Sequence, residues 1–294
     1  MSELETSIAA LPIWQGRPVI EPLVGGLSNA SFLVTDGAGR FVARSGKDYP
    51  FHHVSREREL MTARAAHSAG FAPEIVFAQP GLMVSRFIDG TVFGEADVRS
   101  NIERIADIVR RFHSQMPGGI TGSAYLFWVF HVIRDYASTL KASQNPLARR
   151  LPELLAINAE LELAQLPLPI VFGHNDLLPA NILDDGRRLW LIDFEYAGFG
   201  TAMFDLAGLA SNAGFDKAQS DALTEAYFGS PPTHDIRASH AAMQCASLLR
   251  EALWALVSEL YLSAPGADYG AYAQQNFERF DAALAAYRTE FKEA

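Results

Sequence analysis

With 294 residues, about half of them apolar (49%) and a fifth charged (20%), the chain is long enough for one large domain or two and too apolar to be disordered. A formal net charge of −10 excludes nucleic acid as the main partner, because a phosphate backbone needs a basic footprint, and it favours a cationic small molecule instead. The single cysteine, Cys245, excludes an intrachain disulfide and a cysteine metal cluster, and its apolar neighbours predict a buried helical position.

The N-terminus is acidic and lacks the basic-then-apolar order of a secretory signal. No apolar run reaches the ~18 residues of a membrane span, and the richest stretch, 241–262, is interrupted by Arg250, Glu251 and Glu259. The expectation is a cytoplasmic protein. Strands are predicted over Val19–Val24, Ala30–Thr35 and Phe41–Arg44, with Asp36-Gly37 as a hairpin turn. Residues 55–69 read as a helix capped by Ser55 and ended by Gly70, followed by strands over Pro73–Phe77 and Leu82–Phe87. Ile88-Asp89-Gly90 reads as a connector. Beyond it Val98, Ile102, Ile105, Val109 and Phe112 form one helical stripe, and further helices are predicted near 126–142, 148–165, 216–228, 236–262 and 269–290. One β hairpin, Ile170–Phe172 with Leu189–Phe194, interrupts them. This layout predicts an α+β, two-lobed, protein-kinase-like fold. Residues 1–89 would be a small β-rich ATP-binding lobe and 90–294 a larger, mainly helical catalytic and substrate-binding lobe.

The chemistry centres on His174-Asn175-Asp176-x4-Asn181, followed by Ile192-Asp193-Phe194-Glu195. Phosphoryl transfer needs a carboxylate to take the proton of the attacking hydroxyl and oxygen ligands to hold magnesium against the phosphates. One loop can present Asp176 as base and Asn181 as metal ligand, with Asp193 as the second carboxylate after the next strand. Aspartate and asparagine in loops are commonly turn formers. The flanking apolar strands argue for chemistry here, in the arrangement of a kinase catalytic loop and metal loop. His174 is expected to hold the loop by hydrogen bonds. Gly25-Gly26-Leu27-Ser28-Asn29 is either a plain hairpin turn or a phosphate-covering loop that brings Ser28 and Asn29 to the nucleotide. Arg44 and Glu59 are either a phosphate-contacting ion pair or two solvated surface charges. No GxxxxGK[ST] is present, which excludes a P-loop kinase.

Asp193-Phe194-Glu195-Tyr196, Val171-Phe172-Gly173-His174-Asn175-Asp176 and Phe204-Asp205-Leu206-Ala207 resemble the choline and ethanolamine kinase family, within the aminoglycoside phosphotransferase superfamily. Gly25–Asn29, Val42-Ala43-Arg44 and Arg56-x-x-Glu59 match its N-terminal pattern. Glu251-x-x-Trp254 and Asp268-Tyr269-x-x-Tyr272 are similar to the helix pair that bears its aromatic substrate pocket. The resemblance implies ATP and Mg2+ as cofactors and a small amino alcohol, choline or ethanolamine, as acceptor. Arg44 would steady the phosphates, and Phe87-Ile88 would line the adenine pocket. Tyr196, Trp254 and Tyr272 would offer ring faces to an alkylammonium group. Two departures bear on the acceptor: Glu251 stands where the family often has the first of two tryptophans, and Asn212 where it often has an acidic residue. Glu251 would either favour a primary ammonium or compensate for Asn212 while still admitting choline. The same machinery would serve an aminoglycoside, thiamine or another alcohol. A reading from another class, a catalytically silent nucleotide-binding regulator, sits poorly with intact Asp176, Asn181 and Asp193.

Overall fold

A computed structural model of the chain describes residues 2–23, 29–262 and 268–292, so Ser28 and the glycines before it lie outside the described residues. The N-terminal part begins with a helix the sequence reading did not predict, α1 (Glu3–Ala9). Ser2 and Glu5 cap it reciprocally, as in a capping box. Its Ile8 joins Phe32, Val34, Phe41, Ala43 and Val84 in one core. Those five come from an antiparallel sheet of β1 (Val19–Leu23), β2 (Ala30–Asp36), β3 (Gly39–Ser45), β4 (Ile75–Gln79) and β5 (Leu82–Arg86), in the order β1-β2-β3-β5-β4. Alternate residues face the core because successive side chains of a strand point to opposite faces, and the β2–β3 register pairs Phe32 with Ala43 and Val34 with Phe41. Helix α2 (Arg56–Ser68) follows β3, with the Ser55 side chain as its N-cap and Gly70 at φ 82° just past its end.

The rest is mainly helical. A two-residue strand, β6 (Thr91–Val92), precedes α3 (Glu95–Ser100) and α4 (Ile102–Gln115). The single stripe expected from Val98 to Phe112 is therefore two helices, broken at Asn101 (φ −126°, ψ 29°), whose amide bonds back to the Asp97 carbonyl at 2.9 Å. Helices α5 (Val129–Ala142) and α6 (Leu151–Leu163) follow. Next come β7 (Ile170–Gly173), β8 (Ile182–Asp184), β9 (Leu189–Leu191) and β10 (Gly198–Thr201), and then α7 (Ala202–Asn212), α8 (Lys217–Phe228), α9 (His234–Tyr261) and α10 (Tyr269–Phe291).

The expected hairpin of Ile170–Phe172 with Leu189–Phe194 does not form. β7 pairs instead with β10, and β9 pairs with β8, which in turn pairs with β6. The polar loops thus lie between two small sheets, which fixes each from both sides. Helix α7 was also not predicted, because all but its last residue, Asn212, are buried and an apolar-all-round helix shows no stripe. Cys245 is buried in α9 as expected. No described helix is long and apolar enough to cross a membrane.

Candidate active site

The 174–181 loop leaves β7 with Asn175 in the left-handed region (φ 61°), an unfavourable conformation for a residue with a side chain. Neighbouring bonds hold it there. The Asn175 amide donates to the carbonyls of Tyr196 at 3.1 Å and Gly198 at 3.3 Å. The backbone N–H groups of His174 and Asn175 each donate at 2.7 Å to the carboxylate of Asp205, in the first turn of α7. His113 of α4 bonds the same carboxylate at 2.7 Å through Nε2. Burial alone would raise the Asp205 carboxyl, but the bond and charge of His113 outweigh it and hold the group below the usual carboxylate range. Asp205 is the residue on which the loop hangs; the sequence reading quoted it in a motif and gave it no role.

His174 lies where its expected structural role puts it. Its Nε2 is 2.9 Å from the Ile192 carbonyl, tying the 174–181 loop to the segment after β9, and burial lowers its pKa so that it is neutral. Asn181 ties the same two segments. Its side-chain amide donates to the Asp176 carbonyl at 2.9 Å, and its own carbonyl accepts from the Ile192 N–H at 3.1 Å. Asp193 is the second left-handed residue of the site (φ 67°), so it sits in the irregular segment beyond β9 and not at a strand end.

A charge network joins the sheet to these loops. Arg44 of β3 pairs with Glu59 of α2 and with Asp193 at 2.7 Å, while Arg56 bridges Glu59 at 2.6 Å and Glu195 at 3.0 Å. Glu59 is only 3% exposed, which removes the reading of Arg44 and Glu59 as solvated surface charges. Burial would raise Asp193, yet Arg44 holds it low. Glu195, beside Asp193, is pushed up by burial and by that neighbour's charge. Asn29 reaches Glu195 at 3.4 Å. Phe87 and Ile88 are half-buried on the connector after β5, and the Arg40 guanidinium covers the Phe87 ring at 4.5 Å. A cavity of about 40 Å³ lined by Arg44, Arg56, Glu59 and Met83 opens beside the network. A larger one of about 200 Å³ lies elsewhere, among α8, α9 and α10.

Asp176 lies in the electrostatic field of a second group of residues. The Trp254 indole donates to the Tyr196 hydroxyl at 2.9 Å, and the Trp254 and Tyr272 rings meet edge to face at 6.2 Å. The Tyr272 hydroxyl donates to Glu251 at 3.3 Å. Tyr196, Glu251, Trp254 and Tyr272, far apart in the chain, are therefore brought together. Two further residues were missed. His52 stacks on Trp254 at 5.2 Å and bonds Ser258 at 2.8 Å, with burial lowering its pKa to about 3. Arg250 pairs with Glu251 and lies over the Tyr196 ring at 4.6 Å. Its only sequence signal was a charge inside an apolar helical run. Burial pushes the Asp176 carboxyl well above its usual range, the Arg250 charge opposes this, and the charge of Glu251 adds to it.

A small sheet with a basic residue paired to a buried glutamate, joined to a helical part that carries an aspartate loop and a second aspartate beyond β9, defines a two-lobed small-molecule kinase. The chain belongs to the phosphotransferase enzyme family, whose model matches residues 19–238. It is 25% identical over 271 residues to Protein LicA of Haemophilus influenzae, covering 89% of this chain and 78% of that protein. It is 31% identical over 179 residues to a probable ethanolamine kinase of Arabidopsis thaliana, covering 55% and 46%. Among solved structures it resembles a choline/ethanolamine kinase family protein from Mesorhizobium loti, with a TM-score of 0.75, 29% identity and 98% of each chain covered.

Proposed function

We propose that the protein is a cytoplasmic enzyme that transfers the γ-phosphoryl group of ATP to the hydroxyl of a small amino alcohol of the choline or ethanolamine type. Residues 1–89 would form the ATP-binding lobe and 90–294 the catalytic and acceptor lobe. The observation that carries this reading is the cluster in which Tyr196, Trp254 and Tyr272 share hydrogen bonds and ring contacts beside Glu251, with Asp176 in the field of that carboxylate. Ring faces attract an alkylammonium group, each contact contributing on the order of 0.5–2 kcal/mol.

In this reading the acceptor hydroxyl oxygen bonds to the γ-phosphorus, the bond between that phosphorus and the β,γ-bridging oxygen breaks to release ADP, and the proton passes to Asp176. A carboxyl raised by burial is the stronger base for that proton. Asn181 fixes the Asp176 backbone, and Arg44, braced by Glu59, would steady the phosphates, with Asn29 also contributing to the nucleotide site. The donor set fits magnesium. Arg44 uses one Asp193 oxygen, and Asn181 spends its amide nitrogen on the loop, so a carboxylate oxygen and an amide oxygen remain as hard ligands. Among the described residues no cluster of three or more His, Cys, Asp or Glu could hold a metal. Bound by the Asp193 and Asn181 oxygens, Mg2+ would neutralise charge on the phosphates. Phe87 and Ile88 would line the adenine pocket.

The test is acceptor-dependent ADP release with ethanolamine and choline, in wild type and in Asp176→Asn. The variant should keep its fold and its affinity for ATP while kcat falls by roughly 10²–10⁴. Full activity in folded Asp176→Asn would remove the base from the mechanism. Nucleotide binding with no acceptor turned over would favour a regulator.

A further inference from the structure

Arg250 lies against Glu251 and Tyr196, two of the residues proposed to bind the acceptor, and is only 2% exposed. One arm of its guanidinium, Nη1, pairs with Glu251, and the group lies over the Tyr196 ring at 4.6 Å. Nε and Nη2 have no partner. These two nitrogens form the side-on edge of the guanidinium, and its parallel N–H bonds match the two oxygens of one carboxylate. A buried cation with that edge unmatched is destabilising, and bracing Glu251 does not require it, since Nη1 alone does so.

The partners of Glu251 point the same way. Its two oxygens are engaged by Arg250 and by the Tyr272 hydroxyl, so it is already neutralised and is a weak site for an added ammonium. The group therefore offers aromatic faces for a cation, a buried and unmatched guanidinium edge that an anion would satisfy, and Asp176 for a hydroxyl.

Building on the amino-alcohol reading above, we infer that the acceptor also carries a carboxylate, held by Nε and Nη2 of Arg250. The substrate class is a hydroxylated amino acid, with ammonium, carboxylate and hydroxyl on one small skeleton. The transfer balances as for an amino alcohol: the hydroxyl oxygen gains the γ-phosphoryl, ADP leaves, and the proton goes to Asp176. Choline and ethanolamine lack the group that would fill the Arg250 edge.

The experiment is kcat/KM with ATP for L-homoserine, L-serine, ethanolamine and choline in wild type, Arg250→Met and Arg250→Lys. Wild type should prefer one of the two hydroxy amino acids. In Arg250→Met the ratio of kcat/KM for that acceptor to kcat/KM for ethanolamine should fall by about 10²-fold or more, because a site built to bind a polar group discriminates strongly by it. Arg250→Lys should recover only part of the ratio, since an ammonium has no fork. A wild type that prefers ethanolamine or choline, or a ratio unchanged in Arg250→Met, overturns the inference and leaves the amino-alcohol kinase standing. An equal loss for all acceptors assigns the edge to the transferred phosphoryl and also overturns it. Turnover of none of the four overturns both readings. Should Arg250→Met lack a cooperative thermal transition, the wild-type preference and the Arg250→Lys ratio decide.

Discussion

Asp205 shows how much of a catalytic loop can depend on a side chain outside it. Its carboxylate accepts the N–H groups of His174 and Asn175 and the His113 ring, all in the interior. An asparagine there keeps one oxygen acceptor and replaces the other with a donor facing donors. Asp205→Asn should therefore cost about 1–3 kcal/mol of stability, read by urea unfolding at neutral pH. Because the folded carboxyl is held below its ordinary value, its contribution is fully present above the unfolded carboxyl's pKa, near 4, and is lost as pH falls through the lower folded value. The variant should lack that acid-side loss, and an unchanged acid limb would show that the bonds do not stabilise the fold. At this scale the sequence was legible where chemistry is local. Asp176, Asn181 and Asp193 announce themselves by type and spacing between apolar strands. Asp205, His113 and His52 do not, because each works through a partner distant in the chain. Arg250 was visible only as a flaw in an apolar helix.

The elements that escaped the sequence reading share a physical cause. β8 and β10 have three and four residues, too few for an alternation to show, and β10 reads Gly-Phe-Gly-Thr. α7 has no polar face, and the break at Asn101 preserves the phase of the stripe that runs across it. The long amphipathic helices and the Asp36-Gly37 hairpin were legible because their patterns are local and repeated. β10 was nonetheless chosen for its glycines. It pairs with β7 on one side, and the Phe199 N–H and C=O bond the Tyr125 carbonyl and the Phe127 N–H at 2.8 Å. A Cβ at Gly200 would stand 2.7 Å from the Phe127 carbonyl oxygen, which is backbone and cannot rotate away. Gly200→Ala should push β10 from this segment at a cost of about 1–3 kcal/mol. The same shift would move Tyr196, two residues before the strand, so KM for the acceptor should rise more than KM for ATP. Wild-type stability in urea would mean that the contact relaxes freely.

Across the whole molecule, three of the four histidines buried among the described residues share one behaviour: His52 against α9, His174 in the catalytic loop, and His240 in α9, near the Leu206 carbonyl of α7. Burial lowers all three, to about 3 for His52 and about 4 for His240. Above the ordinary histidine pKa, about 6.5, each is neutral in both folded and unfolded chains and contributes no pH dependence. As pH falls below that value the unfolded chain takes up protons that the folded chain refuses, His52 and His240 until about 4 or lower, so stability falls with pH. Asp176 and Glu195 oppose this, since burial makes their folded carboxyls take protons before the unfolded ones. A single substitution isolates one histidine from that sum. His240 has an unpartnered Nε2 and is 4% exposed, and methionine fits such a site without a charge to lose. Urea unfolding free energies of wild type and His240→Met, measured at steps between pH 7 and pH 4.5, should diverge as pH falls. Below pH ~6 wild type should lose about 1.4 kcal/mol per pH unit more than the variant, one proton's worth of linkage. Parallel curves would mean that His240 takes its proton inside the fold, and that this junction is wetter than its burial implies.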